Sequence, residues 1–157
     1  MATVLDVSRA RLYHYVPSKA HLLYLIFDRA ISTALARMEE LSAAEDPAER
    51  LRSLIVQQVL MISENQGLFL VFFGDRPALD EKYESEILAK ERRLLRYLIE
   101  AIEAAAAAGH IPRTDPRLAA QAVLGMTSWF HKWYRANRDD PAGYAQVCVD
   151  LIFRSSG

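Results

Sequence analysis

Ser8, Arg9, Arg11, Tyr13, His14, Tyr15 and Lys19 lie close together near the start of the chain. All can donate hydrogen bonds, and three are cationic, a set suited to phosphate oxygens and base edges. A guanidinium such as that of Arg9 or Arg11 can bond the O6 and N7 of one guanine together. Tyr13, Tyr15 and Lys19 suit phosphates. A second concentration is aromatic: Phe69, Phe72 and Phe73, then Trp129, Phe130, Trp133 and Tyr134, with Met126 one turn earlier. Rings and a thioether offer no reactive group. They can line a pocket for an apolar ligand, and the same stripe would serve as core or interface. No nucleophile elbow, P-loop, HExxH or GxGxxG pattern occurs. His110 and His131 have no partner spacing for a metal or for catalysis and read as surface or capping residues. The expectation is no enzyme: no catalytic residue, no metal site and no cofactor.

The elements that hold these residues are helical. Residues 22–41 place Leu22, Leu23, Ile26, Phe27, Ala30, Ile31, Ala34, Leu35 and Met38 in pairs one turn apart, with Ser18 as N-cap. Asp46-Pro47, Asp115-Pro116 and Asp140-Pro141 repeat one start signal: a capping carboxylate, then a residue with no N–H to satisfy. Gly67 and Gly109 are the expected stops. These marks predict helices at 47–66, 81–108, 116–136 and 141–154, with a short one near 68–73. The 81–108 helix carries its apolar residues along Ile87, Leu94, Leu95, Leu98, Ile99 and Ile102, and pairs Glu86 with Lys90 across one turn. No β-hairpin signal occurs. The fold class is all-α.

The 157 residues suit one domain's worth of chain at roughly 150 residues per domain. A hydrophobic share of 52% with 25% charged residues is enough to bury a core. The single cysteine, Cys148, excludes an internal disulfide and fits a reducing cytoplasm. No apolar run nears the ~18 residues of a membrane span, and no signal-peptide layout opens the chain. Net charge −1 argues against indiscriminate nucleic-acid binding. The local balance differs: within residues 1–21, Arg9, Arg11 and Lys19 face Asp6 alone.

Ser8 can cap a short helix over residues 9–15 that Pro17 ends. Residues 2–5 and a turn at Asp6 and Val7 would precede it. A helix, a tight turn and a second short helix form a helix-turn-helix, whose second helix enters the DNA major groove. The string V-S-R-A-R-L-Y-H-Y-V-P-S-K-A-H-L-L (residues 7–23) resembles the helix-turn-helix signature of the TetR family, the tetracycline-repressor-like transcription factors. Ser8 stands at the cap, Leu12 at the apolar seat, Tyr13 and Tyr15 at the aromatic positions, and Lys19 at the basic one. Val16 and Asp6 depart mildly from the pattern. The resemblance implies that Ser8, Arg9, Ala10, Arg11, Tyr13, His14, Tyr15 and Lys19 contact operator DNA. It also implies a further helix before the motif, so the sequence is expected to start inside the second helix of a longer gene product. Residues 1–41 are then a partial DNA-binding domain with its connecting helix, and 42–157 a ligand-binding and dimerisation domain.

The stretch L-G-M-T-S-W-F-H-K-W-Y-R (residues 124–135) resembles a TetR subgroup of fatty-acid and steroid-degradation regulators that release DNA on binding an acyl-CoA, with Ser128 in place of the subgroup's Asn. That resemblance implies an effector site lined by Phe69, Phe72, Phe73, Met126, Trp129, Phe130 and Trp133. Arg76, Arg92, Arg93 and Arg96 are candidates for the CoA phosphates, although a solvated helix face explains each of them as well. The family also implies a homodimer built from the last two helices, with Ala119, Ala122, Val123, Val147, Cys148, Leu151 and Ile152 supplying packing surface. The expected function is a ligand-responsive regulator, a repressor released by a hydrophobic effector such as an acyl-CoA, with operator DNA and a second copy as partners and no membrane. The alternatives are a helical ligand-binding dimer without DNA binding in this form, an activator, or a multidrug-sensing repressor with Asp75 or Glu64 facing a cation. This sequence on its own is expected to bind operator DNA weakly or not at all.

Overall fold

The first described helix begins at a serine, as its sequence requires. The computed structural model describes residues 17–75 and 78–153. In it the Ser18 hydroxyl accepts the His21 N–H at 3.1 Å and opens α1, Lys19–Ser42. Asp46 accepts the Ala48 and Glu49 amides and starts α2, Pro47–Glu64. A third helix, α3, spans Gln66–Asp75, and α4 spans Glu81–Ala107. Asp115 accepts the Arg117 and Leu118 amides at the head of α5, Pro116–Ser128. A single turn, α6, runs Phe130–Trp133, and α7 covers Pro141–Phe153 behind Asp140, which accepts the Ala142 amide. No strand occurs among the described residues.

Three expectations are corrected. Gly67 does not stop a helix; it lies in the first turn of α3. The stop falls at Asn65, whose N–H returns to the Met61 and Ile62 carbonyls while its own carbonyl accepts Leu68 and Phe69. There the axis turns by 89°. The 116–136 helix is also not continuous. After Ser128 the ladder tightens to an i→i−3 bond from the Lys132 N–H to the Trp129 carbonyl, which swings Phe130 inward. Finally, His131 is buried at 4% exposure, not a surface residue. Gly109 does what its position predicts: with φ at 80° it lets the His110 N–H reach Ala105 and its own N–H reach Ala106, closing α4.

Helix α2 is the axis of the bundle and packs on all six of the others. Its first half, through Leu51, Leu54 and Ile55, meets Leu98, Ala101, Ile102 and Ala105 of α4, Ala120 and Val123 of α5, and Cys148 and Val149 of α7. Its second half, through Val59 and Ile62, meets Phe130, Tyr134 and Ala145. A separate cluster joins Leu23, Phe27 and Ile31 of α1 to Ile87 of α4, with Leu68 and Phe72 of α3 against it. Each fully buried side chain of this size removes about 1.5–3 kcal/mol of unfavourable exposure, so three such clusters hold α1, α3 and α6 in fixed relation. Cys148 is 1% exposed within the first cluster, the small core hydrophobe its apolar neighbours predict, and burial pushes its thiol pKa up.

Candidate functional site

Of the eight residues expected to touch DNA, seven (Ser8, Arg9, Ala10, Arg11, Tyr13, His14 and Tyr15) lie outside the described residues. Lys19 is exposed as the first residue of α1. Helix α1 therefore runs from Lys19 into the body of the bundle.

Its fixation there is polar as well as apolar. His21 Nδ1 lies 2.6 Å from the Tyr83 hydroxyl, Tyr24 donates to Glu86 at 2.5 Å, and Lys90 donates to both Asp28 and Ser32. The His21–Tyr83, Tyr24–Glu86 and Asp28–Lys90 pairs all have a separation of 62 residues, so α1 and α4 run parallel in one register. The carboxylate of Glu86 favours the neutral phenol, which pushes the Tyr24 pKa up to about 12. Glu86 and Lys90, expected to pair within α4, thus each engage α1. None of these contacts emerged from the sequence, because polar residues at helical spacing on either helix read as a solvated face until the two helices are placed together.

The aromatic residues fall into two connected groups. On one side, Phe27 of α1 meets Phe72 of α3 edge to face at 4.8 Å, Phe72 meets Phe73 in the same way at 5.3 Å, and Phe73 stacks on His131 of α6 at 4.6 Å. Phe69 lies 6.4 Å from Phe73. On the other side, Phe130 stacks on Tyr144 at 4.7 Å, and Trp133 meets both rings edge to face. Tyr144 in turn donates to the Met126 carbonyl at 2.6 Å, and burial pushes its phenol up to about 12. Gln66 ties α3 to α6: its Nε2 donates at 2.9 Å to the carbonyls of both His131 and Tyr134. Helix α3 thus reaches α6 through Phe73 and His131, Phe69 packs against the Phe130 cluster, and Phe130 and Trp133 face Tyr144 of α7.

Two expected lining residues stand elsewhere. Met126 packs against the core around α2 and α4. Trp129 is 62% exposed, on the outer face of α5 with Leu118 at 57%. Val147 and Leu151 of α7 are exposed to a similar degree. Of the residues expected to supply a packing surface for a second copy, Ala122, Val147 and Leu151 face outward, whereas Val123 and Cys148 are consumed by the core. Arg92, Arg93 and Arg96 are exposed on α4, which packs chiefly on α1, α2 and α5. Arg76 lies outside the described residues. Glu64 is exposed at the end of α2, and no group of three or more His, Cys, Asp or Glu suited to a metal occurs among the described residues. No single described helix is long and apolar enough to cross a membrane.

Residues 44–156 match the family model described as the tetracyclin repressor-like C-terminal domain. Among solved structures, a TetR family transcriptional regulator, PfmR from Thermus thermophilus, is 28% identical and superposes with a TM-score of 0.88 over 94% of this chain and 81% of its own. A tetR-family regulatory protein from Rhodococcus RHA1 gives 24% identity and 0.86, over 98% and 82% of the two chains. AibR, in complex with isovaleryl coenzyme A and operator DNA, gives 24% and 0.82, over 92% and 80%. No curated protein sequence matches the chain.

Proposed function

Because the chain belongs to the tetracycline-repressor-like family of transcriptional regulators, we propose that it is a homodimeric repressor whose grip on operator DNA is released by a hydrophobic effector, an acyl-CoA thioester. DNA contact falls to Ser8, Arg9, Ala10, Arg11, Tyr13, His14, Tyr15 and Lys19. Arg9 and Arg11 read bases and the others position the motif. The effector binds where α3 crosses α6, among Phe69, Phe72, Phe73, Phe130 and Trp133. Residues 1–41 act as the DNA-binding part with its connecting helix, and 42–157 as the effector-binding and dimerisation part.

The observation that carries this reading is the ring path Phe27–Phe72–Phe73–His131, which joins α1 to α6 through α3. A ligand wedged against Phe73 presses on a ring that meets Phe72, which in turn contacts Phe27 on the helix that leads to the DNA-binding end. Interdigitated rings repack between discrete arrangements, so occupancy there biases the direction of α1. Release requires the effector to bind the DNA-incompetent arrangement more tightly, not merely to bind. The likeness to a regulator solved with both isovaleryl coenzyme A and operator DNA supports an acyl-CoA as the effector class. A second copy pairs through the exposed face of α5 and α7, setting two recognition helices for two half-sites.

The test uses DNA selected from a random-sequence pool by the protein. Selection and anisotropy are both run at high protein concentration, because weak binding is expected of this sequence on its own. Adding isovaleryl-CoA, or acyl-CoAs of increasing chain length, should lower the anisotropy of the labelled complex, while free CoA should not. Retention of the complex at saturating concentrations of every thioester would remove the acyl-CoA assignment.

A further inference from the structure

We propose that His131 Nε2 is the polar anchor of the effector site, accepting a hydrogen bond from an N–H or O–H donor on an otherwise apolar ligand; this deepens the effector-site reading above and rests on it.

His131 is 96% buried, and its Nδ1 lies 2.5 Å from the Ser128 carbonyl. A carbonyl only accepts, so Nδ1 carries the proton, and in that tautomer the ring presents a lone pair at Nε2. That atom is buried and has no hydrogen-bond partner among the described residues. Buried acceptors are almost always satisfied, because leaving one bare forfeits its bond to water with no return. Here the ring is not free to turn and find a partner. Phe73 stacks on it at 4.6 Å with planes 24° apart, Ser128 holds Nδ1, and Gln66 holds the residue's own carbonyl at 2.9 Å. Stacking alone would be served equally by phenylalanine, and the Ser128 contact uses only Nδ1, so neither accounts for the acceptor at Nε2. A fixed acceptor beside Phe73, itself 44% exposed, forms one polar point on an apolar wall. Such a point selects for a donor and against an isostere that lacks one, since the latter leaves the buried acceptor unpaired. The amide N–H groups of a pantetheine arm are donors of this kind, and a hydroxyl is another.

The experiment compares two small probes of nearly identical shape, N-ethylisovaleramide with an N–H and ethyl isovalerate without one. Both are titrated by calorimetry into the whole chain and into its His131→Phe variant. The amide-to-ester affinity ratio should fall about three- to tenfold in the variant, the size expected of one neutral hydrogen bond. Wild-type protein with 15N-labelled histidine provides a measurement independent of whether the variant folds. The unprotonated Nε2 resonance of His131 should move on adding the amide and stay in place on adding the ester. An unchanged ratio, an Nε2 resonance indifferent to the amide, or failure of both probes to bind overturns the proposal. The acyl-CoA reading is judged separately: thioesters that release DNA equally from wild type and His131→Phe would leave that reading standing while sinking this one.

Discussion

Tyr24 and Tyr83 lie face to face across the seam between α1 and α4, with ring centroids 4.4 Å apart and planes 15° apart. The stack is the middle of a polar clasp in which His21 meets Tyr83, Tyr24 meets Glu86, and Asp28 meets Lys90. The register is set three times over on one seam, so α1 cannot slide along α4 without breaking all three pairs together. Under the proposed function such a lock lets α1 move as a rigid lever, without creeping along its neighbour.

Replacing Tyr24 by Phe keeps the stack and removes the hydrogen bond to Glu86. The site is exposed, so the loss should be at the lower end of the usual range, about 0.5–1 kcal/mol, or a few degrees in melting temperature. The pH dependence has a definite sign. The folded-state pKa of Tyr24 is raised to about 12 from the ordinary 10.0, so its contribution is complete below pH 10 and lost as pH rises toward 12. Tyrosinate absorbance should show one late-ionising component missing in Tyr24→Phe. Chemical denaturation should show the wild-type advantage over the variant shrinking between pH 10 and pH 12.

Lys90→Met removes the one ammonium that Asp28 and Ser32 share on this seam. Both ion-pair side chains are less than a third exposed, at 28% and 29%, so solvent replaces the lost partner poorly. A cost of about 1.5–3 kcal/mol is expected, as for hydrogen bonds to a charged group. Urea denaturation should give a lower midpoint at unchanged slope. Asp28→Asn combined with Lys90→Met should cost less than the two single changes summed, because the second no longer strands a charge.

Helix starts were legible in the sequence because a cap is local. Ser18, Asp46 and Asp115 each satisfy amides within three residues of themselves. The break after Ser128 was not legible, because it depends on partners far along the chain. Phe130 turns inward to stack on Tyr144, and Gln66 arrives from α3 to take the carbonyls that the interrupted helix exposes. Residues 116–136 carry a periodicity that fits one long helix, and only the rest of the bundle decides otherwise. The same holds for His131. As an isolated histidine it reads as a surface or capping residue; its Nδ1 does meet the Ser128 carbonyl, and its burial follows from the turn that the break creates. The aromatic residues were visible as a class, but their division was not: Trp129 stands outside while Phe130, its neighbour, is fully buried.

Gln66→Leu should therefore loosen one place specifically. It deletes two 2.9 Å hydrogen bonds to the carbonyls of His131 and Tyr134, at about 1 kcal/mol each with neutral partners. The core clusters around Leu54 and Leu98 are untouched, so global cooperativity should persist. Amide hydrogen exchange in residues 130–134 should accelerate well beyond the change seen in α2 or α4. Uniform acceleration throughout the chain would mean that the clip is only a general contributor to stability.

The proposed pairing of two copies rests on the outer face of α5 and α7. Leu118 at 57%, Trp129 at 62%, Val147 at 53% and Leu151 at 61% exposure are four large apolar side chains carried on two adjacent helices. Scattered apolar residues on a surface need no explanation, but a shared face of this composition is what a self-complementary contact uses. An isologous pairing doubles the effect of one substitution, since each residue occurs twice across the two-fold axis. Leu151→Glu should therefore place two carboxylates in one desolvated interface and shift the protein to monomer, read by sedimentation velocity at micromolar concentration. Because Leu151 is already exposed in the single chain, far-ultraviolet circular dichroism should stay unchanged. Cys148→Ser, one turn away but buried in the core, should do the reverse, lowering the unfolding midpoint while leaving the dimer assembled. A Leu151→Glu protein that sediments like wild type would show that this face is not where two copies meet.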